Sequence, residues 1–295
     1  MAASIRLGTR GSTLALAQAR LVADALGGAE IVEARGDDAQ PAGGDKARFV
    51  RGVERALLAG DADIGVHSAK DLPSELPDEL RLSGVPAREE PLDAFVGAGA
   101  NLDEVPKGAR VGTSSLRRRA QLLAVRPDLD VVELRGNVDT RLRRLADGDF
   151  DGVVLAAAGL RRLGREDEIA FAFDADVMTP APGQGSLALE TRRDDEGAAA
   201  AAAGISDATA LVELTAERSA VAELDATCRT PVGVHAALGD GRLRVEGFVG
   251  LPDGSEWVRD TLDGDPEDPV ALGRELAARL VAAGARDLLE RAEAA

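Results

Sequence analysis

Through the first two-thirds of the chain, short apolar runs alternate with stretches of helical periodicity, and then the alternation stops. Apolar runs too short for a buried helix, each followed by an amphipathic one, mark an α/β fold layered around a mainly parallel sheet. "SIRL" (4–7) reads as a strand, and "STLALAQARLVADAL" (12–26) has the spacing of an amphipathic helix that ends at Gly27-Gly28. Residues 36–45, "GDDAQPAGGD", carry turn formers without periodicity and predict a mobile loop. A helix over 46–59 and the strand "ADIGVHSA" (62–69) follow, stopped by Pro73.

The composition breaks at "PAREEPLD" (86–93), where a first boundary is expected. Beyond it the pattern predicts a strand at 110–112, a helix at 114–125, the strand "DVVEL" (130–134), a helix at 138–147 and the strand "GVVLAAA" (152–158). "MTPAPGQGSLALE" (178–190) reads as a second crossing that returns to an apolar strand, and the alanine-rich run 197–204 as a helix. The last third changes style. "VGVHAAL", "RLRVEGFVG" and "EWVRDTL" are joined by "GDG" and "PDG", an antiparallel meander, and 267–293 is helical. The expectation is three domains: an α/β unit of 1–86 with 186–203, a second α/β unit of 92–179, and an α+β unit of 208–295 with a three-stranded antiparallel sheet and helices.

Polar residues gather where the strands of the first two units end. "SIRL" is followed by Thr9-Arg10-Gly11-Ser12, "ADIGVHSA" by Lys70-Asp71, "RVG" by Thr113-Ser114-Ser115 and the triplet Arg117-Arg118-Arg119, and "DVVEL" by Arg135-Gly136-Asn137 with Arg141 one turn on. In open α/β sheets ligands sit outside the carboxyl ends of strands, where helix N-termini favour anions. Four junctions therefore place Arg10, Arg117, Arg118, Arg135 and Arg141 around one crevice, each with a fork suited to carboxylate or phosphate. Consecutive helical residues point about 100° apart, so at most two of the triplet share that crevice. Each feature has a plainer alternative: a solvated arginine face, Ser12 and Ser114 as helix caps, His67 as a core histidine, Asp71 as a turn residue, Cys228 as a small buried hydrophobe.

Charge and composition narrow the function classes. A formal net charge of −17 opposes nucleic-acid binding, and no phosphate-cradling Gly-rich loop with Lys-Ser/Thr is present. The single cysteine, Cys228, excludes a disulfide framework and a multi-cysteine metal site; no metal is expected. No apolar run approaches the roughly 18 residues of a membrane span, and the N-terminal residues lack a signal-peptide pattern, so the expected location is cytoplasmic. Without an obvious apolar patch, a monomer is expected. Two classes remain open, a cytoplasmic binding or sensor module for a polycarboxylate anion and an enzyme.

"RLGTRGSTLALAQA", "ADIGVHSAKDLP", "REEPLDAFV", "VGTSSLRRRAQL", "LRGNVDTRL", "AAAGLRRLG" and "APGQG" together resemble the hydroxymethylbilane synthase (porphobilinogen deaminase) family over nearly the whole chain. The resemblance implies three domains, the first two built like a two-domain solute-binding protein with an active-site cleft between them. It implies a transferase of porphyrin and heme biosynthesis that joins four porphobilinogen molecules head to tail with loss of ammonia. Growth would occur on a dipyrromethane cofactor attached by a thioether to Cys228, in the third domain, with hydrolytic release of hydroxymethylbilane. Asp71, beside Lys70, matches the catalytic position; a carboxylate there can stabilise the cations that follow ammonia loss and move protons. Arg117, Arg118, Ser115, Thr113, Lys70 and Asp71 match cofactor-binding positions. Arg10, Ser12, Gln18, Arg135, Arg141, Arg162, Gln184 and Lys46 match substrate-binding ones, and Arg119 faces away. The chain departs from the family at Ala226-Thr227, where Gly-Gly is usual, at Arg229, and around Lys46, which keeps its spacing from Phe49.

Acidic residues number 52 against 35 basic ones, of which only Lys46, Lys70 and Lys107 are lysine. Such a surface stays hydrated where salt screens its self-repulsion, which reads as adaptation to a salty cytoplasm. The thermal midpoint is expected to rise from dilute to molar KCl. A midpoint that stays flat or falls would contradict this.

Overall fold

The computed structural model describes residues 4–34, 45–226 and 230–294, with the backbone alone for 45–49. The turn-rich stretch 36–44, the Lys46 side chain and Cys228 lie outside the described residues. The chain starts with β1 (Arg6–Thr9), α1 (Thr13–Ala25), β2 (Glu30–Glu33), α2 (Asp45–Leu58), β3 (Ile64–Ser68) and β4 (Leu80–Gly84). It crosses to β5 (Asp93–Gly97), β6 (Arg110–Gly112), α3 (Leu116–Val125), β7 (Asp130–Val132), α4 (Val138–Ala146), β8 (Gly152–Ala156), α5 (Ala157–Arg162) and β9 (Phe171–Ala172). It then returns through β10 (Leu187–Arg192) and α6 (Glu196–Gly204). The last part holds α7 (Ala208–Leu224), β11 (Val232–Gly239), β12 (Arg242–Gly250), β13 (Trp257–Gly264), α8 (Pro269–Ala282) and α9 (Ala285–Ala294).

Two sheets share one plan. The first has the order β2-β1-β3-β10-β4 and the second β7-β6-β8-β5-β9. In each, four strands run in one direction and the fifth, β10 or β5, lies antiparallel between two of them. The expected mainly parallel sheet is thus mixed, for a topological reason. β5 and β10 each arrive straight from the opposite sheet and so run against the strands they join. Apolar side chains fill each unit, Leu7, Val22, Ile64 and Leu189 in the first, Phe95, Val111, Leu122 and Val154 in the second.

Several boundaries differ from the sequence expectation by a few residues, and two of them have a clear local cause. β1 begins at Arg6, not Ser4, because Asp63 fixes Arg6 through its backbone nitrogen (2.9 Å) and its Nη2 (2.6 Å). β8 ends at Ala156, and 157–158 already belong to α5. Ala157 and Ala158 are buried and helix-favouring, and α5 turns to pack on α1, with Leu14 the nearest neighbour of Gly159.

The third sheet is the expected meander, β11-β12-β13, each pair antiparallel in continuous register. α7 and α8 pack together across it around Leu224, Leu276 and Leu280. Its β12–β13 turn lies on α3. Gly254 sits at φ +74°, and a Cβ there would meet the Ala124 nitrogen at 2.4 Å. Arg259 on β13 donates to Gln121 Oε1 (3.0 Å), and Gln121 in turn pairs with the Thr179 backbone (2.8 and 3.0 Å). The meander is therefore keyed to the helix that begins with the arginine triplet. Among the described residues no helix is long and apolar enough to cross a membrane.

Gly254→Ala adds a side chain where φ is positive and backbone blocks the space. A loss of about 2 kcal/mol or more is expected. Thermal or urea unfolding measures it; a change below a few tenths would mean the turn does not grip α3.

Candidate active site

Each junction between strand and helix is built by its own local rule. Pro73 forces Leu72 into an extended conformation, so the chain after β3 makes only one tight turn, Ala69–Asp71, closed by Leu72 N–H to Ala69 O at 3.2 Å. That turn presents Lys70 and Asp71. Ser12, Ser115 and Asn137 each cap the helix that follows, accepting from the backbone nitrogens of Ala15 (3.3 Å), Arg118 (3.4 Å) and Thr140 (2.9 Å). The caps fix where Arg10, the triplet and Arg141 begin.

These residues surround two adjoining cavities. The larger, about 630 Å³, is lined by Arg10, Ser12, Gln18, Arg135 and Arg162 among others. The smaller, about 310 Å³, is lined by Ser115, Arg117, Gln184, Ala226 and Thr230 among others. Lys70, Asp71, Ser114, Arg118 and Arg141 line both. The second crossing closes one wall. Gly183 there has φ +75°, and a Cβ would lie 2.8 Å from the Lys70 nitrogen, so only glycine lets the two segments approach.

The cations are held from behind. Arg117 and Arg118 are buried and share the wholly buried Asp93 carboxylate, with contacts of 2.7 Å from Arg117 Nη1 and 2.8 Å from Arg118 Nε. Arg141 reaches back from α4 to Gly136 O (2.8 Å) and Ser114 Oγ (3.0 Å), and Arg162 donates to Gly185 O (2.6 Å). Gln184 Nε2 donates to Pro91 O (2.6 Å) and Asp93 Oδ1 (3.0 Å), and Gln18 bonds Ser68 (2.8 Å). Arg135 is exposed at the rim, with Nε on Glu133 (2.8 Å).

Electrostatics follow from burial. Desolvation lowers the pKa of Arg10, against the pull of Asp71, and of Arg118, against the pull of Asp93. It brings Arg141 and Arg162 to about 10; Arg118 adds to the shift at Arg141, and Glu89 opposes it at Arg162. Lys70 is pushed down to about 8, first by burial and then by Arg118, against Asp71 and Asp93. Asp93 is the converse: burial would raise it, but Arg117 and Arg118 together hold it at about 2. Cations whose proton affinity falls on burial lack full compensation from the protein's own carboxylates. An anionic ligand restores it.

Thr113, Arg119 and His67 stand outside the cavities, the last two as the sequence allows. Thr113 is buried and lines neither cavity; its Oγ1 accepts from Ser115 N–H (3.2 Å) and shapes the turn. Arg119 is exposed and points away. His67 is a core residue, 3.0 Å from Glu190 Oε2. The Lys46 side chain and Cys228 lie outside the described residues. Asp93 was missed as a site residue. Its signal is a carboxylate opening an otherwise apolar run, "DAFVG", which only an internal cation can accommodate.

The Lys70 shift has a consequence for stability. The unfolded chain keeps this proton to about 10.5, whereas the folded protein releases it near 8. Between those values the unfolded state binds more protons, so this group favours folding increasingly as pH rises. Lys70→Met should therefore raise the thermal midpoint relative to the parent at pH 7, and the gain should shrink toward pH 10. A difference independent of pH would refute it.

Comparison with known proteins places these features in a family. Residues 5–200 match the family described as porphobilinogen deaminase, dipyromethane cofactor binding domain, and residues 211–282 match porphobilinogen deaminase, C-terminal domain. The chain is 44% identical to a porphobilinogen deaminase of Deinococcus radiodurans over 97% of this chain and 98% of that one. It is 46% identical to one from a Roseiflexus species, over 98% and 99%. A porphobilinogen deaminase of Thermus thermophilus is 44% identical over 96% and 97%. Among solved structures, the periplasmic VFT2 domain of Bordetella pertussis BvgS aligns at 19% identity with a TM-score of 0.39, over 68% of this chain and 86% of that one. With two family matches spanning both parts and relatives aligned end to end, the chain belongs to the porphobilinogen deaminase family.

Proposed function

We propose that the adjoining cavities are the active site of a hydroxymethylbilane synthase, which condenses four porphobilinogen molecules and releases hydroxymethylbilane with four ammonia molecules, consuming one water. The observation that carries this reading is the clustering of half-buried, under-compensated cations around one carboxylate, Asp71, on the wall common to both cavities. Each porphobilinogen brings an acetate and a propionate, so every ring added brings two negative charges to those cations. A binding module for a polycarboxylate is the weaker alternative, since the family is that of the deaminases.

The residues fit the family's dipyrromethane primer. Ala226 and Thr230, the described residues on either side of 227–229, line the smaller cavity beside Ser115, Arg117 and Arg118, and the buried Arg117 Nε has no hydrogen-bond partner among the described residues. Lys70, Ser115, Arg117 and Arg118 would hold the four carboxylates of a primer attached through a thioether to Cys228. When bound, the primer supplies the nucleophilic pyrrole carbon at which the first ring is added.

The chain's own residues do the rest. Arg10, Arg141, Arg162 and the rim residue Arg135 pair with carboxylates of rings in the larger cavity, with Ser12 and Gln18 beside them, while Gln184 serves from the smaller cavity and Lys46 is assigned to substrate binding as well. Asp71 stabilises the positive charge that ammonia loss leaves on the incoming porphobilinogen, then helps remove the ring proton displaced by the new carbon–carbon bond. Lys70 balances the Asp71 charge and pairs with anionic substituents. We assign residues 1–86 with 186–203, 92–179 and 208–295 to three domains of a cytoplasmic, monomeric protein.

Intact mass and turnover test this together. The parent should carry the mass of a dipyrromethane and Cys228→Ala should not. Asp71→Asn should load normally yet turn over about 10²–10³-fold more slowly. A loaded, folded Asp71→Asn variant of near-parent activity would remove Asp71 from the reaction.

A further inference from the structure

Asp93 takes no part in the chemistry above, yet both arginines deepest in the site are built on it. It opens β5, directly after the first crossing, and its side chain is fully excluded from solvent. Oδ2 accepts from Arg117 Nη1 at 2.7 Å. Oδ1 accepts from Arg117 Nη2 (3.2 Å), Arg118 Nε (2.8 Å) and Gln184 Nε2 (3.0 Å), and lies 2.8 Å from Arg118 Nη2. The outer side of each fork is tied to a carbonyl, Arg117 to Thr179 O and Arg118 to Val154 O, both at 2.8 Å.

Two consequences follow from this geometry. Both guanidinium planes are fixed before any ligand arrives, which removes the cost of ordering two long side chains on binding. One carboxylate against two guanidinium groups also leaves a single net positive charge buried at the wall common to both cavities. Because the carboxylate is enclosed, a substrate acetate or propionate cannot displace it and must bind to the remaining donor hydrogens.

We propose that Asp93 is a positioning residue of the condensation reaction, orienting Arg117 and Arg118 toward substrate carboxylates and setting the residual charge of the pocket. The inference rests on reading those arginines as carboxylate anchors. A purely structural ion pair is the competing account, since removing one partner of a buried pair is strongly destabilising by itself.

The two accounts separate in Asp93→Glu, which keeps the charge and displaces it by one methylene. As the full-length, cofactor-loaded protein, corrected for folded fraction and for cofactor mass, this variant should turn over about 10²-fold more slowly, with enzyme-bound intermediates accumulating in the mass spectrum. Asp93→Asn tests the charge separately. Lys70 is faced by Arg117, Arg118, Asp71 and Asp93. Its acylation by an amine reagent can be followed against pH by peptide mass in full-length chains carrying Cys228→Ala, with Lys46 and Lys107 as internal references. Asp93→Asn should move the Lys70 midpoint to lower pH, and Asp93→Glu should not. A folded, loaded Asp93→Glu of near-parent turnover, or an unmoved Lys70 midpoint in Asp93→Asn, overturns the proposal. Failure of both variants to fold also counts against it, because retained charge should rescue the fold. Arg118→Ala runs alongside: if it too is fully active, the reading of the arginines as anchors is what fails.

Discussion

The buried contact of Asp93 with Arg117 and Arg118 joins parts of the chain that are far apart in sequence. Asp93 ends the first crossing, the arginines open α3, and Gln184 and Thr179, their further partners, belong to the second crossing. Both passages between the α/β units therefore meet at one charge cluster. A low-dielectric setting strengthens such a cluster and makes any unpaired member costly, so its geometry is tightly specified. Ligand-facing cations stand where the crossings converge because the cluster holds them there.

A second buried carboxylate ties the meander to the same crossings. Glu217 on α7 accepts from the Gly183 nitrogen (2.6 Å) and the Ala236 nitrogen (2.8 Å), and pairs with Arg88 (2.8 Å) of the first crossing. Burial alone would raise its pKa, but Arg88 and His235 hold it below the ordinary carboxylate range. With Gly254 keyed into α3, the third sheet is fastened on two sides: to the crossings through α7, and to the arginine helix through the β12–β13 turn. The residues flanking 227–229 are thereby held against the smaller cavity.

The contrast between surface and site is a matter of dielectric and placement. Carboxylates in excess on the surface are hydrated and screened, and their field falls off within about 10 Å at ordinary salt. Arg117, Arg118, Arg141 and Arg162 behind the strand ends are wholly or partly desolvated, and each is braced by a backbone carbonyl. An anionic chain can therefore be held inside a protein of net charge −17, because local geometry, not the total, sets the potential it meets.

Much of this was determined by the sequence alone. Apolar periodicity located the strands and helices that lead into the site and the C-terminal meander, since those patterns report which face is buried, but it did not mark β2, β4, β5, β9, α5 or α7. The order of Ser12, Ser114 and the arginines after strand ends put the site on helix N-termini, because strand-end position is a local rule; the cap of α3 is Ser115, one residue beyond the expected Ser114. Tertiary structure decided the rest. The antiparallel entry of β5 and β10 depends on where the chain returns from, which no local pattern encodes. Which arginines of the triplet turn inward, and that His67 meets Glu190, depend on partners more than a helix length away in sequence. Asp93 is the clearest case. Its sequence context marks a carboxylate at the head of an apolar strand, but only the fold brings two guanidinium groups, from residues 24 and 25 positions along, to the place where that charge can be buried.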